Sequence, residues 1–191
     1  DPAIVASANV SLQLGSVPVK GTLPQTDGRF VLYPVPVGNA YALVVSAAGR
    51  VTAVMTGVPV TQGGTTTVSS ATVRIVPPVA ASAPRSAGGT VTTVPPAAAS
   101  VRALQTLPTA PATTIEVAWT AADDASGAYT LSLPVDAPAR TGYATNPTAI
   151  GFASEPTAAG LYRLESASGT TVKTSDIDVR TPVPAQNFAL P

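Results

Sequence analysis

Apolar and polar residues alternate along much of this chain. A clear example is the set Tyr129, Leu131 and Leu133, which is interrupted by Thr130 and Ser132. A period of two is that of a β-strand with one buried face, whereas a helix repeats about every 3.6 residues. The same spacing occurs in the sets Val10/Leu12, Phe30/Leu32, Tyr41/Leu43/Val45, Ile115/Val117/Trp119, Tyr162/Leu164 and Ile177/Val179. The pattern therefore predicts an all-β protein.

One short phrase occurs twice. Residues 26–32 read Thr-Asp-Gly-Arg-Phe-Val-Leu, and residues 124–131 read Asp-Ala-Ser-Gly-Ala-Tyr-Thr-Leu. Each copy is a polar turn that ends in Gly, which accepts the positive φ of such turns, and a strand follows whose first inward residue is aromatic. The copies are about one small domain apart. The phrase therefore predicts two tandem copies of one β module.

A segment rich in Pro and Ala separates the two copies. Residues 76–84 read Val-Pro-Pro-Val-Ala-Ala-Ser-Ala-Pro, which is typical of a semi-rigid extended linker. The predicted organisation is a first β-sandwich at residues 1–76, a linker at 77–85 and a second, divergent β-sandwich at 86–191. Residues 65–75 are rich in β-branched side chains and are predicted to form a long strand.

The two modules open differently. The second begins with Gly-Thr-Val at 89–91 and reaches an Ala-Ser-Val-Arg-Ala strand at 99–103. The first has the matching strand at 8–12, but a counterpart of residues 89–91 would fall at or before residue 1. The first module is therefore predicted to lack its first strand, which leaves a sheet edge unpaired.

Composition removes several classes of chemistry. The chain has no His and no Cys, and therefore no imidazole base, no thiolate nucleophile and no Cys/His metal site. Ten basic and ten acidic residues give a net charge of zero, which offers no electrostatic footprint for nucleic acid.

Pro, Gly or Thr interrupts each apolar run before it reaches the length of a membrane span. Because the chain opens with Asp-Pro and no initiator Met, we expect it to derive from a larger precursor.

Four pieces of the first module resemble the carboxypeptidase regulatory-like family. They are Ala-x-Val-x-Leu at 8–12, Thr-Asp-Gly-x-Phe-x-Leu at 26–32, Pro-x-Gly-x-x-Tyr-x-Leu-x-Val at 36–45 and Ala-x-Gly-Arg at 47–50. Residues 101–105, 127–133, 159–165 and 187–190 are similar to a second copy. The resemblance implies Ig-like or transthyretin-like β-sandwiches without catalytic residues, as in the C-terminal part of bacterial cell-envelope lipoproteins of unknown function. The chain departs from the family at its truncated start and at residues 136–160.

Isolated carboxylates are candidate sites for which we favour plain structural explanations. Asp27, before Gly28, is a candidate calcium ligand that is better explained as a turn residue, and adjacent Asp123 and Asp124 are better explained as a solvated loop. A second set, Asp176 and Asp178, shares one strand face and forms a candidate carboxylate pair. We favour the plainer explanation, an exposed polar face opposite Ile177 and Val179.

Aromatic rings suggest a carbohydrate platform. Tyr143 lies in a loop-like stretch and is the better exposed ring, whereas the register of Trp119 with Ile115 and Val117 predicts that Trp119 is buried in the core. Both rings on one accessible face would distinguish a glycan-binding module from a purely structural one.

An isopeptide crosslink of the kind found in related surface modules is a further candidate. Its amine would come from Lys20 or Lys173, its amide from Asn9, Asn39 or Asn187, and its assisting acid from Glu165. Neither Lys lies in a recognisable crosslink motif, so we expect surface lysines.

The sequence as a whole favours a non-catalytic structural or interaction module of the bacterial cell envelope or exterior, without metal or cofactor. Its expected partners are proteins, including copies of itself that add strands to exposed edges and form filaments, and the candidate surfaces are residues 1–10 and 65–75. The alternative is a glycan- or ligand-binding accessory module of a larger secreted protein. An enzyme would have only isolated carboxylates to work with.

Overall fold

The described residues form thirteen β-strands and one short 3-10 helix, Pro156–Ala158, in a computed structural model of the chain. The structure describes residue 5 and residues 8–47, 51–68, 84–93, 98–108, 112–143, 153–154 and 156–191, without the side chains of residues 39, 40 and 153. The strands are β1 (Asn9–Leu14), β2 (Val17–Thr22), β3 (Gly38–Ser46), β4 (Ala53–Val60), β5 (Arg85–Thr93), β6 (Ser100–Leu107), β7 (Thr113–Ala121), β8 (Ala128–Leu133), β9 (Ala139–Gly142), β10 (Ala153–Ser154), β11 (Leu161–Ser168), β12 (Thr171–Asp178) and β13 (Phe188–Leu190). The predicted all-β class is confirmed.

The strands are arranged in three sheets. A six-stranded sheet has the order β10-β9-β4-β3-β1-β2, a four-stranded sheet the order β12-β11-β6-β7, and a three-stranded sheet the order β13-β5-β8. Neighbouring strands are antiparallel except for the pairs β4–β9 and β5–β13, which are parallel.

The six-stranded sheet is buried on both faces. On one face Tyr41, Leu43 and Val45 pack with Val10 and Leu12 in a cluster that we call the outer core. The residues between them in β3 face the other way and join a larger cluster, the inner core, through Ala42, Val44 and Val54. A strand covered on both faces carries a nearly continuous apolar run, which explains Tyr-Ala-Leu-Val-Val at 41–45.

The inner core is filled by the strands of the C-terminal half. In β8, Tyr129, Leu131 and Leu133 are buried while the residues between them are exposed, as the alternation predicts. Burial of an apolar side chain contributes about 1.5–3 kcal/mol. The other buried members of the inner core are Ala87, Val91, Val101, Ala103, Leu107, Ile115, Val117, Ala122, Ala158, Tyr162, Leu164, Ile177, Val179, Phe188 and Leu190.

Three core tyrosines attach proline-rich loops to the sheets. The hydroxyl of Tyr41 donates to the carbonyl of Pro36 over 2.9 Å, and that of Tyr162 donates to Pro134 over 2.7 Å. Tyr129 donates to the carbonyl of Gln186 over 2.8 Å, and burial raises its pKa to about 12. Each ring therefore supplies apolar surface to a core and satisfies its polar tip at the edge of it.

Both copies of the repeated phrase form a turn that ends in a Gly with positive φ, and the second turn is one residue longer. Gly28 has a φ of 86° and donates its N–H to Gln25, while Gly127 has a φ of 69° and donates to Asp123. The aromatic residue that follows each turn points inward: Phe30 packs on the outer core, and Tyr129 is buried in the inner core. The repeat is thus visible in backbone geometry as well as in sequence.

The segments after the two turns differ, and this corrects one prediction. After the second turn the chain enters β8, which pairs with β5. After the first turn burial still alternates at residues 30–33, but residues 29–37 join no sheet. Pro34 and Pro36 have no N–H to donate to a ladder, which explains why the predicted strand is only an extended segment there.

Two short strands from residues 136–160 extend the six-stranded sheet. β9 lies parallel to β4, with Ala139 opposite Ala53 and Gly142 opposite Thr56, and β10 pairs with β9. The N–H groups of Ala139 and Tyr143 donate to the carbonyls of Thr52 and Thr56 over 2.9 and 2.8 Å. Residues of the predicted second module therefore complete an edge of the sheet of the first.

Several predictions fall at or beyond the limits of the described residues. In the predicted 65–75 strand, residues 65–68 are not in a strand and residues 69–75 lie outside the described part. The 77–85 linker also lies outside it, apart from Pro84 and from Arg85, which begins β5. The division into two modules with a linker stays a prediction.

Candidate functional site

A cleft with a mixed polar and aromatic lining lies between the six-stranded sheet and β7. Its volume is about 180 Å³. We call it the Trp119 cleft. The lining residues are Asn9, Ser11, Gln13, Val44, Ser46, Glu116, Val117, Ala118 and Trp119. The position of the cleft follows from the sheets, because β1 and β3 supply one wall and β7 supplies the other.

A β-bulge exposes Trp119 and overturns the prediction that it is buried. Ala103 pairs with Ala118 and Leu104 with Glu116, so Val117 is an extra residue in β7. A bulge of this kind shifts the alternation by one residue. Val117 and Ala118 both contact the inner core, and Trp119 turns to the opposite face with 58% of its surface exposed.

Gln13 fixes the two walls of the cleft to each other. Its Nε2 donates to the carbonyl of Glu116 over 2.8 Å, and its Oε1 accepts the N–H of Glu116 over 2.8 Å. The side chain thus pairs with β7 as a neighbouring strand would. Gln13 is almost completely buried, and alternation alone gave no sign of it, because a Gln between Leu12 and Leu14 fits an exposed polar position equally well.

A half-buried charge cluster lies beside the same junction. Arg102 Nε donates to Glu165 Oε1 over 2.7 Å, its Nη1 donates to the carbonyl of Ser16 over 3.2 Å, and Nη1 is 3.7 Å from Glu116 Oε2. Burial raises the pKa of Glu116, and the positive charge of Arg102 opposes that rise. The cluster links β6, β7 and β11 to the turn between β1 and β2.

The two rings of the predicted glycan platform lie on opposite faces of the six-stranded sheet. Tyr143 packs against the outer core together with Val10 and Leu12. Trp119 lines the cleft together with Ser11 and Val44, whose side chains leave the sheet on the other face. The structure therefore separates the two rings, and only Trp119 is available to a ligand in the cleft.

Two of the carboxylates proposed as calcium ligands, Asp27 and Asp123, are engaged by their own turns. Asp27 Oδ1 accepts the N–H of Arg29 over 3.0 Å. Asp123 Oδ1 accepts the Ser126 hydroxyl, the Ser126 N–H and the Ala125 N–H over 2.8, 2.7 and 3.1 Å, and these bonds lower the pKa of Asp123. Within the described ranges no group of three or more acidic residues is arranged to hold a metal ion.

Asp176 and Asp178 are each paired with an arginine. Asp176 Oδ1 accepts from Arg163 Nε over 2.8 Å, and Asp178 Oδ2 accepts from Arg180 Nη2 over 2.7 Å. The Arg180 bonds lower the pKa of Asp178 to about 2. With both carboxylates held ionised by guanidinium groups, the pair does not have the split pKa values of an acid–base couple.

The two candidate lysines of the proposed isopeptide bond lie in different sheets, and Lys173 shares its sheet with Glu165. Lys20 lies in β2 and Lys173 in β12, while Glu165 is bound to Arg102. Asn187 Oδ1 accepts from the N–H of Thr90 over 3.0 Å, and Asn9 lies in the Trp119 cleft. The side chain of Asn39 is outside the described part of the structure.

The chain gave no match to any family model, curated protein or solved structure. The resemblance to carboxypeptidase regulatory-like modules therefore stays a prediction from the motifs. In the part of the chain that the structure describes, no helix has the length and apolar character to cross a membrane.

Proposed function

We propose that this protein is a non-catalytic structural and interaction module of the bacterial cell envelope or exterior, and that it assembles with copies of itself by strand addition. The observation that carries the proposal is the asymmetry of the six-stranded sheet. One edge is extended by β9 and ends in β10, which has two residues. The other edge is β2, which has six residues and pairs only with β1 among the described strands.

The outer edge of β2 has the properties of an acceptor for a strand. Leu14 and Val17, at the end of the β1–β2 hairpin, are exposed, and exposed apolar side chains beside unpaired backbone groups favour pairing with another chain. Pro18 and Lys20 in the same strand limit the registers that a partner can adopt. An edge of this kind pairs only with a strand whose register fits Pro18 and Lys20, and not with any exposed strand.

The position of the open edge determines the type of assembly. The two ends of the six-stranded sheet differ in length and sequence, and the proposed contact joins β2 to a different surface of the second copy. Pairing of β2 with β2 would instead close a symmetric dimer. Contacts of this heterologous type give filaments when the rotation between copies does not close. Two tandem β-sandwiches of a cell-envelope protein, as the motifs imply, would be the repeating unit of such a filament.

Analytical ultracentrifugation over a wide range of concentration, with electron microscopy, tests the proposal. We expect the wild-type chain to associate as its concentration rises and Val17→Lys to weaken association about tenfold, the effect of roughly 1.4 kcal/mol. The matched control is Val172→Lys, because Val172 is also an exposed valine on an edge strand, β12, with 49% exposure against 58% for Val17. A folded wild-type monomer at millimolar concentration, or equal effects of the two substitutions, would refute assembly through β2.

A further inference from the structure

The exposed ring of Trp119 offers a flat apolar wall to a small ligand. Val44 and Val117, both buried, continue the apolar surface at the base of the cleft. The face of an aromatic ring attracts C–H groups that carry partial positive charge, because its quadrupole is negative above the plane. The volume of about 180 Å³ is below the 300–1,000 Å³ of pockets for drug-sized molecules, so the occupant is a single small ring.

The wall opposite Trp119 is polar. Asn9 and Ser46 are directly opposite each other on β1 and β3, and Ser11 lies one step further along the same face. The Ser11 hydroxyl accepts from Gln13 Nε2 over 3.3 Å and can donate its own proton to a ligand. Amide and hydroxyl groups together supply donors and acceptors for hydroxyl groups of a ligand.

The charged groups at the cleft are two carboxylates that share one arginine, since Arg102 also bonds to Glu165. Glu116 is the acidic residue of the lining, and Arg102 lies 3.7 Å from its carboxylate. Gln13 uses both of its amide atoms on the backbone of Glu116 and is therefore a fixed part of the wall. Because the one arginine beside the cleft is shared by two carboxylates, the cleft disfavours an anionic ligand, which agrees with a neutral occupant.

We propose that the Trp119 cleft binds one pyranose ring of a neutral carbohydrate. One face of the sugar ring, with its C–H groups, stacks on Trp119, and the hydroxyl groups at its rim bond to Asn9, Ser11 and Ser46. This function is independent of assembly through β2, because the two sites use different strands and different faces. The binding is expected to be weak, with a dissociation constant of about 1 mM for a single sugar.

The fluorescence of Trp119 reports binding directly, because the chain has one Trp. We expect the emission to change saturably when methyl β-glucoside or methyl N-acetylglucosaminide is added to the full chain, and to stay constant with sorbitol, which has hydroxyl groups but no ring. Ser46→Ala should weaken the sugar binding about tenfold, the loss expected for one hydrogen bond.

Saturation-transfer NMR with the same sugars tests the stacking without using fluorescence. Trp119→Ala should abolish the transfer, whereas Tyr33→Ala should leave it unchanged, because Tyr33 is an exposed ring (80%) in residues 29–37, outside the cleft. Circular dichroism of both variants checks that they fold. The proposal would be overturned if no sugar showed transfer at tens of millimolar, or if both variants lost it equally. It would also be overturned if protein concentration alone caused the shift in emission.

Discussion

Single residues show where polar groups stabilise this fold and where they do not. Gln13 is buried with both amide atoms bonded to β7. Thr52 and Ser166 are also buried, but their hydroxyl groups have no hydrogen-bond partner in the described part of the chain. A buried polar group without a partner costs about 1–3 kcal/mol, so these two positions are weak points of the fold.

Replacing the Thr52 hydroxyl by a methyl group should therefore stabilise the protein. We expect Thr52→Val to raise the free energy of unfolding by about 1 kcal/mol, because the new side chain has the same shape and no unsatisfied donor. Urea denaturation of both proteins measures the difference. Thr141→Val is the matched control, since the buried Thr141 hydroxyl donates to the carbonyl of Gly142 over 3.4 Å. If Thr141→Val stabilised the protein as much as Thr52→Val, the missing hydrogen-bond partner of the Thr52 hydroxyl would not be the cause of the stabilisation.

The pH dependence of stability should contain a contribution from Glu116. Burial raises the pKa of Glu116 in the folded state, so the folded chain binds more protons than the unfolded chain above the ordinary value of 4.5. Stability associated with this group must then fall as pH rises from about 4.5 through the raised pKa. Glu116→Gln should remove that fall, which urea denaturation between pH 4 and pH 7 would measure.

Asp176 is the control for Glu116, because its contribution to stability changes with pH in the opposite direction. Hydrogen bonding to Arg163 lowers the pKa of Asp176, so its contribution is present above the unfolded pKa and is lost as pH falls through the folded pKa. Asp176→Asn should therefore reduce stability at neutral pH relative to acid pH, by a small amount because the pair is exposed. The same direction of change in both variants would contradict the assignment to Glu116.

At the scale of elements, the two copies of the repeated turn share a Gly with positive φ and differ in their surroundings. A Cβ at Gly127 would lie 2.1 Å from the carbonyl oxygen of Val91, whereas a Cβ at Gly28 would meet no atom within 4 Å. Both residues have positive φ, which costs a residue with a side chain about 1–2 kcal/mol. The second copy therefore has an additional requirement for Gly.

The pair of substitutions Gly127→Ala and Gly28→Ala separates the two effects. Gly28→Ala should cost about 1 kcal/mol for the backbone alone. Gly127→Ala should cost about 3 kcal/mol or more, because β5 must also move away from the new methyl group. Denaturant unfolding gives both values, and equal costs would mean that the approach of β5 to the second turn is not a tight packing contact.

Elements set by local alternation were predictable, and those set by distant partners were not. The spacing of Tyr129, Leu131 and Leu133 is sufficient to predict β8, since inward positions recur every second residue within one strand. The exposure of Trp119 depends on the bulge at Val117, and the partner strand β6 determines where a bulge forms. β9 has four residues and little alternation, so its pairing with β4 follows from tertiary position rather than from local pattern.

For the whole molecule, the main consequence of β9 is that the N-terminal and C-terminal halves share structure. Ala42, Val44 and Val54 of the six-stranded sheet lie in the inner core with residues of β6, β7 and β8. Separate domains move relative to each other unless their interface is large and apolar. We therefore expect the chain to unfold as one cooperative unit in scanning calorimetry.

A substitution in β9 should divide that unit. Ala139→Pro removes the hydrogen bond from the Ala139 N–H to the Thr52 carbonyl, at a cost of about 1–3 kcal/mol, and should lower amide protection in β4 before protection in β11 is affected. Ala139→Ser keeps the N–H and serves as control. If hydrogen exchange of β4 is the same in both variants, then β9 does not hold the two halves together.

The pairing of β9 with β4 also affects the order of events during synthesis. In the chain, 85 residues separate Thr56 from Thr141, which are neighbours in the sheet. At about 5–20 residues per second, the ribosome needs roughly 4–17 seconds to make that stretch. Throughout this interval the nascent sheet exposes the edge of β4, where a chaperone or another nascent chain has access. A truncated chain that ends before Ala139 would carry this open edge permanently.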